Sequence, residues 1–143
     1  MEQRTRAILA MAEQLARAEF KRGAKPEEIP TFLDCSSFVQ YIFAHVFNVN
    51  ITRRAYQQAG LGTVVRDEQD LMPGDLLFFE GHIAGRRPII VEGKEYWVGH
   101  VAICVGNGEI VHCTRADGVH RRPLNEYRDK KLVLMKRILP DVS

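Results

Sequence analysis

The segment Asp34–Phe43, DCSSFVQYIF, predicts a buried helix with a cysteine at its first position. Asp34 is a good N-cap, because its carboxylate can accept a hydrogen bond from a free backbone N–H of the first turn. Unpaired N–H groups and the positive end of the helix dipole favour a thiolate at Cys35. Without a partner histidine, Cys35 would be a structural buried residue. An apolar face recurs at helical spacing: Cys35, Phe38, Val39, Ile42 and Val46.

The composition is that of an ordinary globular protein, and we expect a single domain over residues 1–143. The net charge of +2 gives no argument for nucleic acid, and no apolar run is long enough to span a membrane. The start shows no signal-peptide pattern. The location is therefore open between cytoplasmic, virion-associated and non-classical delivery. The three cysteines form no Cys-x-x-Cys pair, so we expect no metal and no cofactor.

Helical patterns come first in the chain and strand patterns follow, which predicts an α+β fold with an antiparallel sheet. The nucleophile helix is expected to pack on that sheet. We predict helices over Arg4–Lys21, from Asp34 to about Phe47, and over Arg53–Ala59; strands over Leu76–Phe79, Pro88–Val91, Tyr96–Val105, Glu109–Thr114 and Leu132–Leu139; and a polar loop over Ala116–Lys131.

A cysteine nucleophile needs a base within hydrogen-bond reach and a third group that orients the base. The chain has five histidines. His45 lies about three turns along the cysteine helix and points away from its tip. His82 and His120 fall in predicted loops, where they are expected to be surface residues. His100 and His112 lie on the two arms of a predicted hairpin.

The pairing register decides whether His100 and His112 share a face of the sheet. A three-residue loop at Gly106–Gly108 gives an even index sum, so that His112 lies diagonal to His100 within ring contact. A two-residue turn gives an odd sum and places the rings on opposite faces. A joint site therefore requires the longer loop or a bulge, and spacing alone would leave either histidine a structural residue.

Three segments together resemble the NlpC-type cell-wall cysteine peptidases. Asp34–Val39, DCSSFV, is similar to the nucleophile motif of that family, usually Asp-Cys-Ser-Gly-Phe-Val. Pro73–Phe79 is similar to its strand motif, and Gly99–His112 to its histidine hairpin, with the same spacing between the two histidines. Arg53–Gln58 is a fainter echo of its Pro-Arg-Thr-Ser segment. The resemblance runs from about Ala16 to Thr114.

The resemblance implies a papain-like fold and a triad of Cys35 as nucleophile, His100 as base and acid, and His112 as the group that orients His100. It also implies hydrolysis of amide bonds in peptidoglycan stem peptides, often between γ-D-glutamate and a diamino acid. The predicted substrate-binding residues are Ser36, Arg53, Arg86 and Arg87, since a guanidinium suits the carboxylates of an acidic peptide.

The sequence departs from the family pattern at four places. Ser37 replaces a glycine, Phe20 stands nearest to a tyrosine that hydrogen-bonds in the site, and Ala55 stands where a substrate-contacting serine is common. The segment Gly81–Tyr96 looks like an insertion before the histidine strand. Two other interpretations stay open: an acyltransferase or deamidase on the same fold, and a non-catalytic assembly module of a phage tail or toxin complex, with a phage tail as one possible delivery machine.

Overall fold

The computed structural model describes residues 1–127 and 130–140. Three α-helices are described: α1 (Glu2–Gln14), α2 (Cys35–Val46) and α3 (Ala55–Gln58). Ten strands accompany them: β1 (Glu19–Phe20), β2 (Phe32–Leu33), β3 (Thr63–Val64), β4 (Leu76–Glu80), β5 (Ile89–Val91), β6 (Lys94–Tyr96), β7 (Val98–Gly106), β8 (Glu109–Thr114), β9 (Gly118–Pro123) and β10 (Leu132–Arg137). Two 3-10 turns cover Glu68–Asp70 and Leu124–Tyr127.

Six of these strands form one antiparallel sheet in the order β3-β10-β4-β7-β8-β9. Its two faces bury different side chains, because neighbouring residues of a strand point to opposite faces. Leu76 and Phe78 of β4 belong to the core shared with the helices, and Leu77 and Phe79 to a second apolar cluster on the opposite face. The predicted α+β architecture is confirmed.

Helix α2 begins where the sequence predicts. The Asp34 carboxylate accepts a hydrogen bond from the Ser37 N–H at 2.9 Å, and the Ser37 hydroxyl bonds back to the Asp34 N–H at 2.8 Å, which completes a capping box. Phe38, Val39 and Ile42 are fully buried, as the helical spacing predicts. This cap and this buried face fix the position of Cys35 at the first turn.

The hairpin between β7 and β8 combines both turn geometries considered for it. Its tip is a two-residue turn with positive φ at Asn107 (54°) and Gly108 (72°), and Gly106 pairs with Glu109. One residue further from the turn the register shifts, and Cys104 pairs with Ile110. A bulge at Val105 therefore restores the even register.

Two predicted boundaries are wrong. Helix α1 ends at Gln14 rather than Lys21, since the chain there turns into β1, which pairs in parallel with β2. The predicted loop Ala116–Lys131 instead contains β9, whose residues pair with β8 from end to end. Strand β9 can carry polar residues because it lies at the edge of the sheet, where every second side chain faces outward. Residues 128 and 129 of that predicted loop lie outside the described residues.

Candidate active site

A cavity of about 430 Å³ opens at the N-terminal end of α2. Cys35 and His100 both line it, so the helix tip and strand β7 deliver the predicted nucleophile and base to one pocket. Cys35 is partly exposed there, while Cys104 and Cys113 are buried. Cys35 is therefore the thiol that a molecule in the cavity reaches first.

The two hairpin histidines are joined by a hydrogen bond. Nε2 of His100 lies 2.8 Å from Nδ1 of His112, and the His112 ring is fully buried. The Tyr127 ring packs edge-on against His112, with ring centroids 4.8 Å apart, and also contacts His100. The geometry of an oriented base is present, since His100 keeps its second ring nitrogen for another partner.

The electrostatics of the pocket oppose a preformed ion pair. Burial and the nearby Asp34 charge raise the pKa of the Cys35 thiol to about 11, against smaller lowering effects from the Val101 and Ser36 N–H groups and Arg22. Burial, with neighbouring positive charges, lowers the pKa of His100 to about 4. The helix tip was expected to favour a thiolate. In this site desolvation exceeds that effect, so each group by itself prefers its neutral form.

Arg53, predicted to bind substrate, faces the interior of the protein. Its guanidinium donates to both oxygens of the Asp34 carboxylate at 3.0 Å, to the Ser36 hydroxyl at 2.9 Å and to the Ala24 carbonyl at 2.9 Å. Burial by itself raises the pKa of Asp34, but Arg53 and the Ser37 and Gly23 N–H groups outweigh it and hold that pKa below its usual value. These bonds support the N-cap of α2, and substrate binding by Arg53 stays a prediction.

The other predicted substrate-binding residues differ in their positions. Ser36 lines the cavity, but its hydroxyl is bonded to Asp34 and Arg53, so its side chain also belongs to the cap. Arg86 lines the cavity with its guanidinium 5.8 Å from the centre of the Tyr56 ring. Arg87 is exposed and, among the described residues, is absent from the lining. Of the three predicted arginines, Arg86 alone reaches the pocket.

Several cations at the cavity were not predicted. They come from four separate parts of the chain and are brought together only by folding, so no local motif identifies them: Arg22, Arg54, Arg115 and Lys130. With Arg86 they make five cationic side chains around a lining whose carboxylates are Asp34 and Glu80. Both carboxylates are already paired, Asp34 with Arg53 and Glu80 with Lys131 at 3.2 Å. The pocket therefore presents a positive surface.

His120 was expected to be a surface residue of a loop, and this expectation is wrong. It lies on β9 directly opposite His112, with the Nε2 atoms of the two rings 3.2 Å apart. Its Nδ1 lies 2.9 Å from the Gly118 carbonyl oxygen. The three histidines His100, His112 and His120 thus form one continuous hydrogen-bonded chain.

Within residues 1–127 and 130–140, no cluster of three or more His, Cys, Asp or Glu side chains is suited to hold a metal ion. In the same residues, no helix has the length and apolar character needed to cross a bilayer.

Comparison with known proteins identifies the family of the chain. Residues 18–137 match the model of the NlpC/P60 family. The chain belongs to the NlpC/P60 family.

Two curated relatives and one solved structure illustrate the similarity of the chain to NlpC/P60 proteins. The chain is 32% identical over 108 residues to the murein DD-endopeptidase MepS/murein LD-carboxypeptidase of Escherichia coli K12, covering 75% of this chain and 50% of that protein. It is 31% identical over 100 residues to the gamma-DL-glutamyl hydrolase of Bacillus subtilis 168, covering 70% of this chain and 20% of that one. The structure of NlpC1 from Trichomonas vaginalis aligns with a TM-score of 0.73 at 22% identity, over 95% of this chain and 44% of that one.

The chain spans half or less of the length of these relatives, so the similarity concerns the NlpC/P60 domain. The last comparison, below 25% identity, is one of fold. Its TM-score of 0.73 over 95% of this chain agrees with the predicted α+β architecture.

Two departures from the family pattern lie at the pocket itself. Phe20 lines the cavity, and the centre of its ring lies 5.0 Å from the Arg115 guanidinium. Ala55 also lines the cavity. Both positions lack a hydroxyl, so polar contact with a substrate on this side falls to the arginines.

The insertion Gly81–Tyr96 borders the same cavity. His82 stacks on Trp97 with ring centroids 4.6 Å apart, and Gly81 lies against Gly99 so closely that a Cβ on Gly99 would come 2.5 Å from the Gly81 Cα. Strands β5 and β6, in the second half of this segment, form a hairpin. The insertion is therefore anchored one residue before His100 and extends the wall of the pocket.

Proposed function

We propose that this protein is a thiol hydrolase that cleaves amide bonds in peptidoglycan stem peptides, of the γ-D-glutamyl–diamino acid type, through a thioester on Cys35. The observation that carries the proposal is the hydrogen-bonded pair of His100 and His112 at a cavity that also exposes Cys35. Membership of the NlpC/P60 family supports it. So do the names of two relatives, one an endopeptidase and the other a glutamyl hydrolase.

The neutral state of both groups determines how the reaction begins. With the pKa of Cys35 at about 11 and that of His100 at about 4, the thiol keeps its proton until a substrate arrives. His100 takes that proton as the sulfur attacks the scissile carbonyl, and acts as a general base. A bound substrate carboxylate or a developing oxyanion beside the ring stabilises the imidazolium that forms.

The oxyanion then lies at the N-terminal end of α2. The first N–H groups of a helix have no partner within the helix. Asp34 takes the Ser37 N–H, so the Cys35 N–H at the tip is the donor that we assign to the oxyanion. Collapse of the tetrahedral intermediate breaks the C–N bond, and the His100 imidazolium protonates the leaving amine. Water, activated by the same ring, attacks the thioester carbonyl and releases the acid and the Cys35 thiol. His112 holds the His100 ring throughout.

The charge of the pocket supports an acidic peptide as substrate. A stem peptide with γ-linked D-glutamate carries a free α-carboxylate beside the scissile amide. Arg54 and Arg86 line the cavity near α3, and Arg22 and Arg115 line it on the β1 side. A guanidinium over an aromatic ring, as with Arg86 over Tyr56, still offers the N–H groups of its edge to a carboxylate.

The test is digestion of two matched peptides by the purified protein. One contains γ-D-glutamyl–diaminopimelate and the other has the D-glutamate α-carboxylate amidated. We expect cleavage of the first, identified by mass spectrometry as a new amine and a new γ-carboxylate, and slower cleavage of the second. Cys35→Ala should abolish turnover, whereas His45→Gln, about three turns along α2, should not affect it. Binding of the peptide without cleavage would support a non-catalytic module, and transfer to an added amine would support an acyltransferase.

A further inference from the structure

His120 occupies a position that a Cys-His-His site does not require. It sits on β9 opposite His112, its ring is 22% exposed, and each of its nitrogens has a defined partner. Nε2 faces Nε2 of His112 at 3.2 Å, and Nδ1 faces the Gly118 carbonyl oxygen at 2.9 Å. In the hydrogen-bonded series from His100 to Gly118, the Gly118 carbonyl is the one group whose role is fixed, because a carbonyl oxygen can only accept.

That carbonyl determines where the proton lies on each neutral ring. His120 must carry its proton on Nδ1 to donate to Gly118, so its Nε2 is bare and accepts. His112 then donates from Nε2 and is bare at Nδ1. His100 in turn donates from Nε2 to that atom, over 2.8 Å, and is bare at Nδ1. A neutral histidine has one donor and one acceptor nitrogen, which makes each step of this assignment obligatory.

We propose that His120 is a positioning residue that, through the Gly118 carbonyl, fixes the tautomers of His112 and His100 so that His100 presents a bare Nδ1 to Cys35. The inference rests on the proposed role of His100 as general base. In the opposite arrangement His100 carries its proton on Nδ1 and cannot accept one from the thiol. The two arrangements use the same atoms at the same distances, so the hydrogen bond between His100 and His112 does not by itself determine which tautomers are present.

The surroundings keep His100 and His112 neutral and shield both rings from water. Burial lowers the pKa of both His100 and His112, so these rings are uncharged at neutral pH and their tautomers matter. His112 is fully buried and Tyr127 covers both rings, which limits exchange with water as a competing partner.

The tautomers are read directly from the imidazole ¹⁵N shifts and their two-bond proton couplings in the ¹⁵N-labelled full chain at neutral pH. Substitution of each histidine in turn by glutamine assigns the signals. We expect the proton on Nε2 of His100, on Nε2 of His112 and on Nδ1 of His120. A neutral His120 protonated at Nε2, or a His100 protonated at Nδ1, overturns the proposal.

Two variants of His120 separate positioning from packing. Leucine removes the acceptor for His112 Nε2, and glutamine keeps an amide oxygen that can accept. We expect His120→Leu to lower kcat at least about tenfold and to populate the other tautomer of His100, because a wrong tautomer next to the nucleophile disables the base. His120→Gln should recover most of kcat, since its amide oxygen replaces the lost acceptor.

His45→Gln, on the exposed end of α2, is the matched control and should change none of these readouts. Equal kcat and equal tautomers in wild type and in both His120 variants would overturn the proposal. A lower Tm in the variants, with kcat and the tautomers of His100 and His112 unchanged, would overturn it too. The NMR readout requires no substrate. Failure to cleave any tested peptide would therefore refute the proposed function, whereas the spectra alone decide the tautomer assignment.

Discussion

Replacing Arg53 by alanine tests whether this arginine supports the nucleophile helix. The Asp34 side chain is 8% exposed and the Arg53 side chain 23%, and both oxygens of the carboxylate receive guanidinium bonds at 3.0 Å. Removing one partner of a buried pair costs about 3–5 kcal/mol. Asp34 retains the Ser37 and Gly23 N–H groups, so we expect about 3 kcal/mol, or roughly 10 °C in Tm for a chain of this size.

Urea unfolding followed by circular dichroism measures this change, and Arg54→Ala is the matched control. Arg54 is the next residue but lines the cavity, so its loss should lower kcat/KM for an acidic peptide and change the free energy of unfolding by under about 1 kcal/mol. A double-mutant cycle with Asp34→Asn should show a coupling between positions 34 and 53, since the two residues share their bonds.

The pH dependence follows from the lowered pKa of Asp34 in the folded state. A carboxyl whose pKa is lower when folded stabilises the protein above its unfolded pKa of about 4, and this stabilisation is lost as the pH falls through the folded value. The difference in unfolding free energy between wild type and Arg53→Ala should thus be largest near pH 7 and shrink in acid. If Arg53→Ala instead unfolds like wild type and raises KM, Arg53 binds substrate and our interpretation of the cap is wrong.

Three further predictions concern the chemistry of the pocket. Cys35 should be alkylated by iodoacetamide before the other two thiols, at a rate that still rises above pH 8 because its pKa is raised to about 11; a plateau below pH 7 would contradict this. His100→Ala should abolish turnover, and His112→Asn or Gln should retain more kcat than His112→Ala, with equal kcat for all three counting against an orienting role. Gly99→Ala should lower kcat, since its Cβ would meet the Gly81 Cα at 2.5 Å and displace the neighbouring His100; unchanged kcat in a folded variant would show that β7 absorbs the shift.

Local patterns in the sequence were sufficient for the elements whose residues interact with near neighbours. The Asp34 cap, the apolar face of α2 and the strand Glu109–Thr114 are all found where they were predicted. Each depends on contacts within a few residues, or on a strict alternation that a core imposes. The sequence left the register of the hairpin open. It required a longer loop or a bulge if the two histidines were to meet, and the structure has the bulge.

The features that the sequence did not predict depend on contacts between distant parts of the chain. Strand β9 carries mostly polar side chains, so its sequence is that of a loop, and its partner β8 alone makes it a strand and brings His120 to His112. Arg53 turns inward because Asp34, 19 residues earlier, lies buried beside it, and no local signal distinguishes it from an exposed arginine.

The protonation of the site is also a tertiary property. A cysteine at a helix N-terminus predicts a lowered pKa from the helix dipole alone. In the folded chain, Cys35 and His100 are surrounded by protein, and removing a charge from water costs more free energy than the dipole returns. Folding alone brought the cations of the pocket together, whereas the motifs of the sequence, through their resemblance to a known family, indicated that Cys35, His100 and His112 meet there. Their charge state, and the direction of the hydrogen bonds along the histidine chain, were decided only by burial and by the Gly118 carbonyl that β9 places beside His120.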